Sequence, residues 1–314
     1  MMLERVIGRF NGRKKGPLVL VFAGIHGNET AGVVALERAF NMLQTRLPSD
    51  ERAFTGALLA LRGNLPAIAS GQRFIDRDLN RMWTMDHIHR IRQAEPGHLQ
   101  TEDREMTQLL EVVHNALYEY QPEALIMLDL HTTSADGGVF VIPADTEASL
   151  RLAKTIHAPV VLGLLKGIEG SLLHFTEGNH FAVGGFPKQC LGVAFEGGQH
   201  DDPASIDRCL SAVFTTLRSA GCIPEEALAG PYDMLLHAYA STLPKVTRLR
   251  YVHHIRPGDG FRMRPGYRNF QSIEAGEHLA DDAEGSVYAS CSGLILMPLY
   301  QARGSDGFFV VEAL

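Results

Sequence analysis

The sequence contains little cysteine and no long hydrophobic run, and both shortages exclude classes of protein. Its 314 residues include four cysteines, Cys190, Cys209, Cys222 and Cys291, none in CxxC spacing. We therefore expect reduced thiols and no cysteine-ligated metal. The longest apolar runs, such as "ALIMLDL", are the length of a strand, far below the ~20 residues that span a bilayer. Residues 1–16 carry charge throughout, so we predict no secretory signal and a cytoplasmic protein without a membrane segment.

Basic residues are fewer than acidic ones. The chain has 29 Lys and Arg residues against 36 Asp and Glu, which gives a formal net charge of −7. The basic cluster "RKK" at 13–15 is short and isolated, which is typical of a solvated turn rather than a nucleic-acid surface. We therefore expect a small-molecule partner and no nucleic acid, and a homodimer is compatible with these features.

Apolar stretches alternate with amphipathic ones through most of the chain. Continuous apolar runs such as "PLVLVFAGI" and "ALIMLDLHT" are typical of central strands buried on both faces. "ETAGVVALERAFNML" and "DREMTQLLEVVHNALYEY" have helical spacing. This alternation predicts an α/β domain over residues 1–235, with a mostly parallel or mixed central sheet flanked by helices.

The composition changes in the last part of the chain. From about residue 236 onward, short apolar segments are separated by turns rich in Gly, Asp and Pro. This pattern predicts a small all-β domain over residues 236–314, and we expect it to cap the site described next.

Three potential metal ligands follow predicted strands. His26 and Glu29 lie in the turn after "PLVLVFAGI", and His131 ends "ALIMLDLHT". Ligands bind at the carboxyl ends of strands in open α/β sheets, and two imidazoles with one carboxylate suit a catalytic Zn²⁺. Asp129, two residues before His131 on the same strand face, could orient a ligating ring. Each residue alone has an ordinary structural explanation, and the prediction depends on their coincidence at one sheet edge.

Other polar residues suit a hydrolytic reaction. Glu196 ends the apolar strand "CLGVAFEGG" and is a candidate general base with a raised pKa. In "GQRFIDRDLNRMW", Arg73 could polarise a scissile carbonyl, while Asn80 and Arg81 could hold a carboxylate. The same charged segment could instead be only a solvated salt-bridge face.

Four motifs in sequence order carry a family resemblance: "GIHGNETAG", "DRDLNR", "LDLHTTS" and "VAFEGG". Together they resemble the succinylglutamate desuccinylase/aspartoacylase family, a branch of the zinc carboxypeptidase clan. The resemblance covers residues 18–200 and implies a zinc-carboxypeptidase-like domain with one Zn²⁺ per chain.

The resemblance implies a role for each matching residue. His26, Glu29 and His131 match the zinc ligands, and Glu196 matches the glutamate that activates water. Arg73 matches the arginine that polarises the carbonyl, and Asn80 with Arg81 matches the pair that holds a substrate carboxylate. Tyr300 is similar in context to a tyrosine that reaches the site from the C-terminal region.

One segment departs from the family pattern. Aspartoacylases carry a further arginine shortly before the catalytic glutamate, but here "GGFPKQC" offers only Lys188. A lysine does not reproduce the bidentate geometry of an arginine, so the sequence does not decide whether N-acetylaspartate or N-succinylglutamate is the substrate.

The sequence thus predicts a zinc-dependent deacylase that cleaves the amide bond of an N-acyl amino acid or a similar small carboxylate-bearing molecule. Two alternatives stay open at this point. One is a zinc carboxypeptidase acting on short peptides, and the other is a non-catalytic metal- or metabolite-binding protein on the same fold.

Overall fold

An eleven-stranded mixed sheet forms the centre of the fold. The computed structural model describes residues 3–47, 54–256 and 258–314. Its strands and those of a second, three-stranded sheet are β1 Val6–Asn11, β2 Lys14–Ala23, β3 Thr55–Arg62, β4 Ala124–Thr133, β5 Phe140–Pro143, β6 Val160–Leu162, β7 Gln189–Gln199, β8 Val246–His254, β9 Arg262–Met263, β10 Gln271–Ile273, β11 His278–Asp282, β12 Gly285–Tyr288, β13 Gly293–Leu296 and β14 Asp306–Ala313. The α-helices are α1 Ala31–Arg46, α2 Leu65–Ser70, α3 Met85–Gln93, α4 Thr101–Tyr120, α5 Glu147–Thr155, α6 Leu172–Glu177, α7 Ala204–Ser219 and α8 Pro231–Ala240.

The large sheet has the strand order β1-β3-β2-β4-β7-β5-β6-β8-β14-β13-β10. Strands β3, β2, β4 and β7 run parallel to one another, whereas β5 runs antiparallel to β7. The parallel strands are buried on both faces, in agreement with their continuous apolar sequences. Their parallel direction places four carboxyl ends at one edge of the sheet.

Helices cover both faces of this sheet. One apolar core lies under α4, with Met106, Leu109 and Val113 fully buried, and the other lies under α1 and α7. A mixed sheet with helices on both faces confirms the predicted α/β fold class. Strand β1 and the short helices α2, α3, α5 and α6 were not predicted, because short elements carry too few periods of apolar spacing to stand out.

The C-terminal strands fall into two groups. Strand β8 pairs in parallel with β6 and antiparallel with β14, so that β8, β14, β13 and β10 extend the large sheet. Strands β12, β11 and β9 form a separate small sheet over the core of Leu279, Phe308 and Val310. Helix α8 crosses the boundary predicted between residues 235 and 236. The division into two domains stays a prediction.

Candidate metal centre and pocket

A pocket opens at the edge where the parallel strands end, and its empty volume of about 840 Å³ includes the part open to solvent. His26 follows β2, and His131 and Glu196 lie in β4 and β7 as direct register partners. Since register partners project to the same face of a sheet, both side chains point into the pocket. Residues 297–309, near the C-terminus, supply several of the other lining side chains.

The turn that carries His26 and Glu29 is packed tightly against α2. A Cβ on Gly27 would lie 2.0 Å from the carbonyl carbon of Ala67, so only glycine fits there. The Gly27 amide donates to the carbonyl of Arg73, and the Glu29 amide donates to the carbonyl of His26. These contacts fix the turn so that both side chains are directed into the pocket.

The three predicted metal ligands meet in the structure. His26 Nδ1 lies 2.8 Å from Glu29 Oε1, and His131 Nδ1 lies 2.8 Å from Glu29 Oε2. One ligand atom from each of the three residues lies within 4.8 Å of the others. All three side chains are buried, and the Thr132 amide donates to Glu29 Oε2 as well.

A second carboxylate holds the far nitrogen of each imidazole. His26 Nε2 lies 2.9 Å from Asp78 Oδ1, and His131 Nε2 lies 2.8 Å from Asp129 Oδ2. The contact between Asp129 and His131 agrees with the prediction from their spacing. Asp78 was missed, although its place in "DRDLNR", two residues before Asn80, was the available signal.

The hydrogen bonding and charge of this cluster suit a bound cation. Each imidazole lies between two carboxylates, but a neutral imidazole has a single N–H to donate. The remaining contact of each ring therefore requires a proton or a metal ion. Burial alone would raise the pKa of Glu29, but His26 and His131 outweigh it and hold that pKa well below its ordinary value. The donor set of two imidazoles and one carboxylate fits zinc.

Glu196 lies beside this cluster and lines the same pocket. Within the described residues, its buried Oε2 has no hydrogen-bond partner. Burial raises the pKa of Glu196 to about 8, and the nearby His131 opposes the rise. A buried carboxyl with a free oxygen and a pKa near neutrality can both accept and return a proton.

Arg73 joins the same network from the loop before "DRDLNR". Its guanidinium donates to Asp78 Oδ2 through Nε and Nη2 and to Glu29 Oε1 through Nη1. Burial would lower the pKa of Arg73, but Asp78 and Glu29 outweigh burial and raise it. A permanently charged guanidinium thus lines the pocket next to the candidate ligands.

Asn80 and Arg81 also line the pocket. The Asn80 side-chain oxygen accepts a hydrogen bond of 2.9 Å from the Leu172 amide. The three guanidinium nitrogens of Arg81 each contact a protein acceptor, namely Ser305 Oγ, the Asn80 carbonyl and Asp306 Oδ2.

Tyr300 is not among the described side chains that line this pocket. Its hydroxyl donates to the Arg264 carbonyl and accepts from the Tyr267 amide, and its side chain is exposed. The structure therefore brings seven of the eight predicted site residues together and leaves Tyr300 outside, so a site role for Tyr300 stays a prediction.

Glu102 is a further residue that sequence reasoning missed. It lies fully buried in the first turn of α4, where its carboxylate accepts the amides of Ile75, Asp76 and Arg77. It also accepts from the Asn64 side chain. Glu102 thereby holds the loop between Arg73 and Asp78. Its sequence signal, an acidic residue early in a helix, is too common to single it out.

Fold and site together define an α/β protein with a buried His–Glu–His cluster at the carboxyl edge of its sheet. Residues 15–187 match the family model of the succinylglutamate desuccinylase/aspartoacylase catalytic domain. That match covers more than half of the chain, which therefore belongs to this family of hydrolases. The match ends before Glu196.

Curated relatives are similar over shorter segments. The succinylglutamate desuccinylase of Pseudomonas paraeruginosa is 43% identical over 75 residues, which make up 24% of this chain and 21% of that protein. The enzyme of the same name from Yersinia pestis is 32% identical over 114 residues, 36% of this chain and 31% of that protein. The matched segments thus span about a fifth to a third of these relatives.

Solved structures show the same fold over nearly the whole chain. A succinylglutamate desuccinylase/aspartoacylase from Rhodobacter sphaeroides superposes with a TM-score of 0.66 at 18% identity, covering 98% of this chain and 87% of that one. The product-bound ectoine utilization protein EutE (DoeB) from Ruegeria pomeroyi gives a TM-score of 0.63 at 18% identity, covering 96% and 86%. Within the described residues, every helix is too short or too polar to cross a membrane.

Proposed function

We propose that this protein is a zinc-dependent deacylase that hydrolyses the amide bond of a small N-acylated molecule. The proposal rests on the convergence of His26, Glu29 and His131, with ligand atoms within 4.8 Å of one another, beside the buried carboxyl of Glu196. His26, Glu29 and His131 would hold the zinc ion. When bound, zinc would act as a Lewis acid that lowers the pKa of water to about 7.

Glu196 acts as the general base and then as the general acid. It takes a proton from the attacking water and returns it to the amine nitrogen as the amide C–N bond breaks. Its free Oε2 and raised pKa support both roles. Arg73 stabilises the negative charge that develops on the carbonyl oxygen, an interaction that typically contributes about 3 kcal/mol to transition-state stabilisation.

A turnover screen tests this proposal. The zinc-loaded protein is assayed with N-acetyl, N-succinyl and N-formyl amino acids, simple acetamides and short peptides, beside the Glu196→Gln variant. We expect turnover of acylated small molecules and a loss of at least ~100-fold in kcat for Glu196→Gln, with one zinc per chain in both proteins. Glu225→Gln, in the exposed turn between α7 and α8, is the matched control and should retain full activity.

Three outcomes would contradict the proposal. Near-normal turnover by Glu196→Gln would overturn the assignment of the base. Preferential cleavage of peptides would favour a carboxypeptidase, and stoichiometric zinc without any turnover would favour a metal-binding protein. The cytoplasmic location and the homodimer stay predictions from the sequence.

A further inference from the structure

The pocket beside the metal cluster has an apolar wall that the proposed chemistry does not use. Among its lining residues, Ile142 lies in β5 and Ala194 in β7, while Leu165 and Leu173 lie in the segments that follow β6. This wall is suited to a hydrocarbon group of the substrate, whereas the charged part of the lining suits the polar half of the molecule.

The apolar wall begins next to Glu196. Ala194 precedes Glu196 by two residues on β7, so both side chains project to the same face of the sheet. Two residues of a strand span about 6.6 Å, and Ile142 is the register partner of Ala194 on β5. A chain attached to a carbonyl carbon held near Glu196 would therefore lie over Ala194 and Ile142.

This wall is closed at its deep end. Gly192, two residues before Ala194 on β7, is covered by α6: a Cβ there would lie 2.8 Å from Thr176 Cγ2 and 3.3 Å from Leu173 Cδ2. A chain that passes Ala194 therefore cannot continue along β7. The lining continues instead across β5 to Leu165.

A second cavity lies behind Leu165. Its empty volume is about 1110 Å³, including the part open to solvent. Among the described lining residues, Leu165 is the one that this cavity shares with the pocket. Pro143, which follows Ile142 on β5, lines the second cavity together with Leu150 and Leu162. Leu165 thus separates two spaces that both have apolar walls.

The turn that carries Leu165 is anchored through its neighbours. Leu164 is fully buried, and His174 Nε2 lies 3.1 Å from the carbonyl oxygen of Leu165. A Cβ on Gly167 would lie 2.7 Å from Val252 Cγ2, so the backbone of the turn packs directly against β8. Because these contacts hold the backbone, the size of the Leu165 side chain decides where the pocket ends.

We infer that the acyl group of the substrate is an unbranched hydrocarbon chain lying over Ala194 and Ile142, and that Leu165 determines the greatest length of this chain. This inference rests on the proposed deacylase function and deepens it by naming the class of acyl group. The wild-type protein takes short chains, and the second cavity becomes an extension of the pocket when Leu165 is replaced by a smaller residue.

Amides of alanine with acetyl, butanoyl and hexanoyl groups test the inference, because they differ only in the acyl chain. We expect the zinc-loaded wild type to favour N-butanoyl-alanine over N-hexanoyl-alanine by at least tenfold in kcat/KM. In Leu165→Ala, the ratio of kcat/KM for N-hexanoyl-alanine to that for N-acetyl-alanine should rise at least tenfold, mainly through KM. Each CH₂ group buried contributes about fourfold in affinity.

Two further variants show whether the gain comes from the second cavity. The double variant Leu165→Ala/Leu150→Trp refills that cavity from α5 and should lose the gain. Leu99→Ala removes a half-buried leucine that lines neither cavity and should leave the ratio at its wild-type value. Thermal unfolding checks that each variant is folded, and Leu165→Val replaces Leu165→Ala should the latter fail to fold.

A binding measurement keeps the test independent of turnover. Calorimetric titration of the metal-stripped protein with propanamide and hexanamide compares two neutral amides that differ by three CH₂ groups. We expect the ratio of hexanamide affinity to propanamide affinity to be at least tenfold higher in Leu165→Ala than in the wild type.

The outcomes separate the inference from the proposed function. An unchanged ratio of hexanoyl to acetyl turnover in a folded Leu165 variant, or a gain that persists with Leu150→Trp, would overturn the inference while leaving a deacylase in place. A higher hexanamide ratio in Leu165→Ala without turnover of any amide would support the role of Leu165 and contradict the proposed function.

Discussion

At the scale of single residues, the carboxylates behind the two histidines decide how well the site can hold a metal. Asp129 contacts His131 Nε2 at 2.8 Å and is almost fully buried. A carboxylate in this position fixes the ring tautomer and makes the facing nitrogen a better ligand. Asp78 contacts His26 in the same way and also holds Arg73, so that the proposed metal binding and the proposed carbonyl polarisation would share one side chain.

Replacing Asp129 with Asn should therefore weaken zinc binding without removing it. The amide still accepts from Nε2 but carries no charge, and we expect a loss in zinc affinity of roughly 10-fold to 100-fold. Competition with a chromogenic zinc chelator measures this loss. Asp145→Asn, in the turn after β5, is the control. An unchanged affinity in Asp129→Asn would show that the imidazole is oriented by other contacts.

At the scale of elements, the N-terminal turn of α4 organises a loop that belongs to the site. Glu102 accepts three consecutive backbone amides, those of Ile75, Asp76 and Arg77, at 2.7 to 3.1 Å. These contacts determine where Arg73 and Asp78 lie. A helix that packs through its apolar face thus also positions the polar loop above its end.

Glu102→Ala should leave these amides without their acceptor. Since each unsatisfied buried amide costs about 1–3 kcal/mol and the loop can partly rehydrate, we expect a loss of roughly 3 kcal/mol in the free energy of unfolding. Chemical denaturation measures it, with Glu111→Ala on the exposed face of α4 as the control. Glu102→Gln, which keeps one acceptor oxygen, should lose less. Equal stability of all three variants would contradict the positioning role.

At the scale of the whole molecule, the features that could be predicted from the sequence are those that depend on local apolar patterns and on the parallel direction of neighbouring strands. Buried strands such as β2 and β4 have continuous apolar runs. His26 follows one such strand, and His131 and Glu196 lie near the carboxyl ends of two others, so their meeting could be expected. The pairing of Arg81 with Asp306 could not be predicted, because the two residues are 225 positions apart and no local pattern relates them. The position of Tyr300 outside the pocket lining could not be read from the sequence for the same reason: it depends on contacts with Arg264 and Tyr267, which the strand pattern does not specify.

Metal binding should also be visible in the stability of the whole chain. A ligand that binds only the folded state at about 100 times its Kd adds about 2.7 kcal/mol, which for a chain of this size corresponds to a rise in Tm on the order of 5 °C. We expect zinc to raise the Tm of the metal-stripped wild type by this amount, and a chelator to reverse the rise. In His131→Ala the rise should vanish whatever the baseline Tm of the variant, because one ligand is missing and Glu29 loses a charged neighbour. His98→Ala, which removes an exposed imidazole, should retain the full rise. A zinc-dependent rise of equal size in His131→Ala would place the metal elsewhere in the molecule.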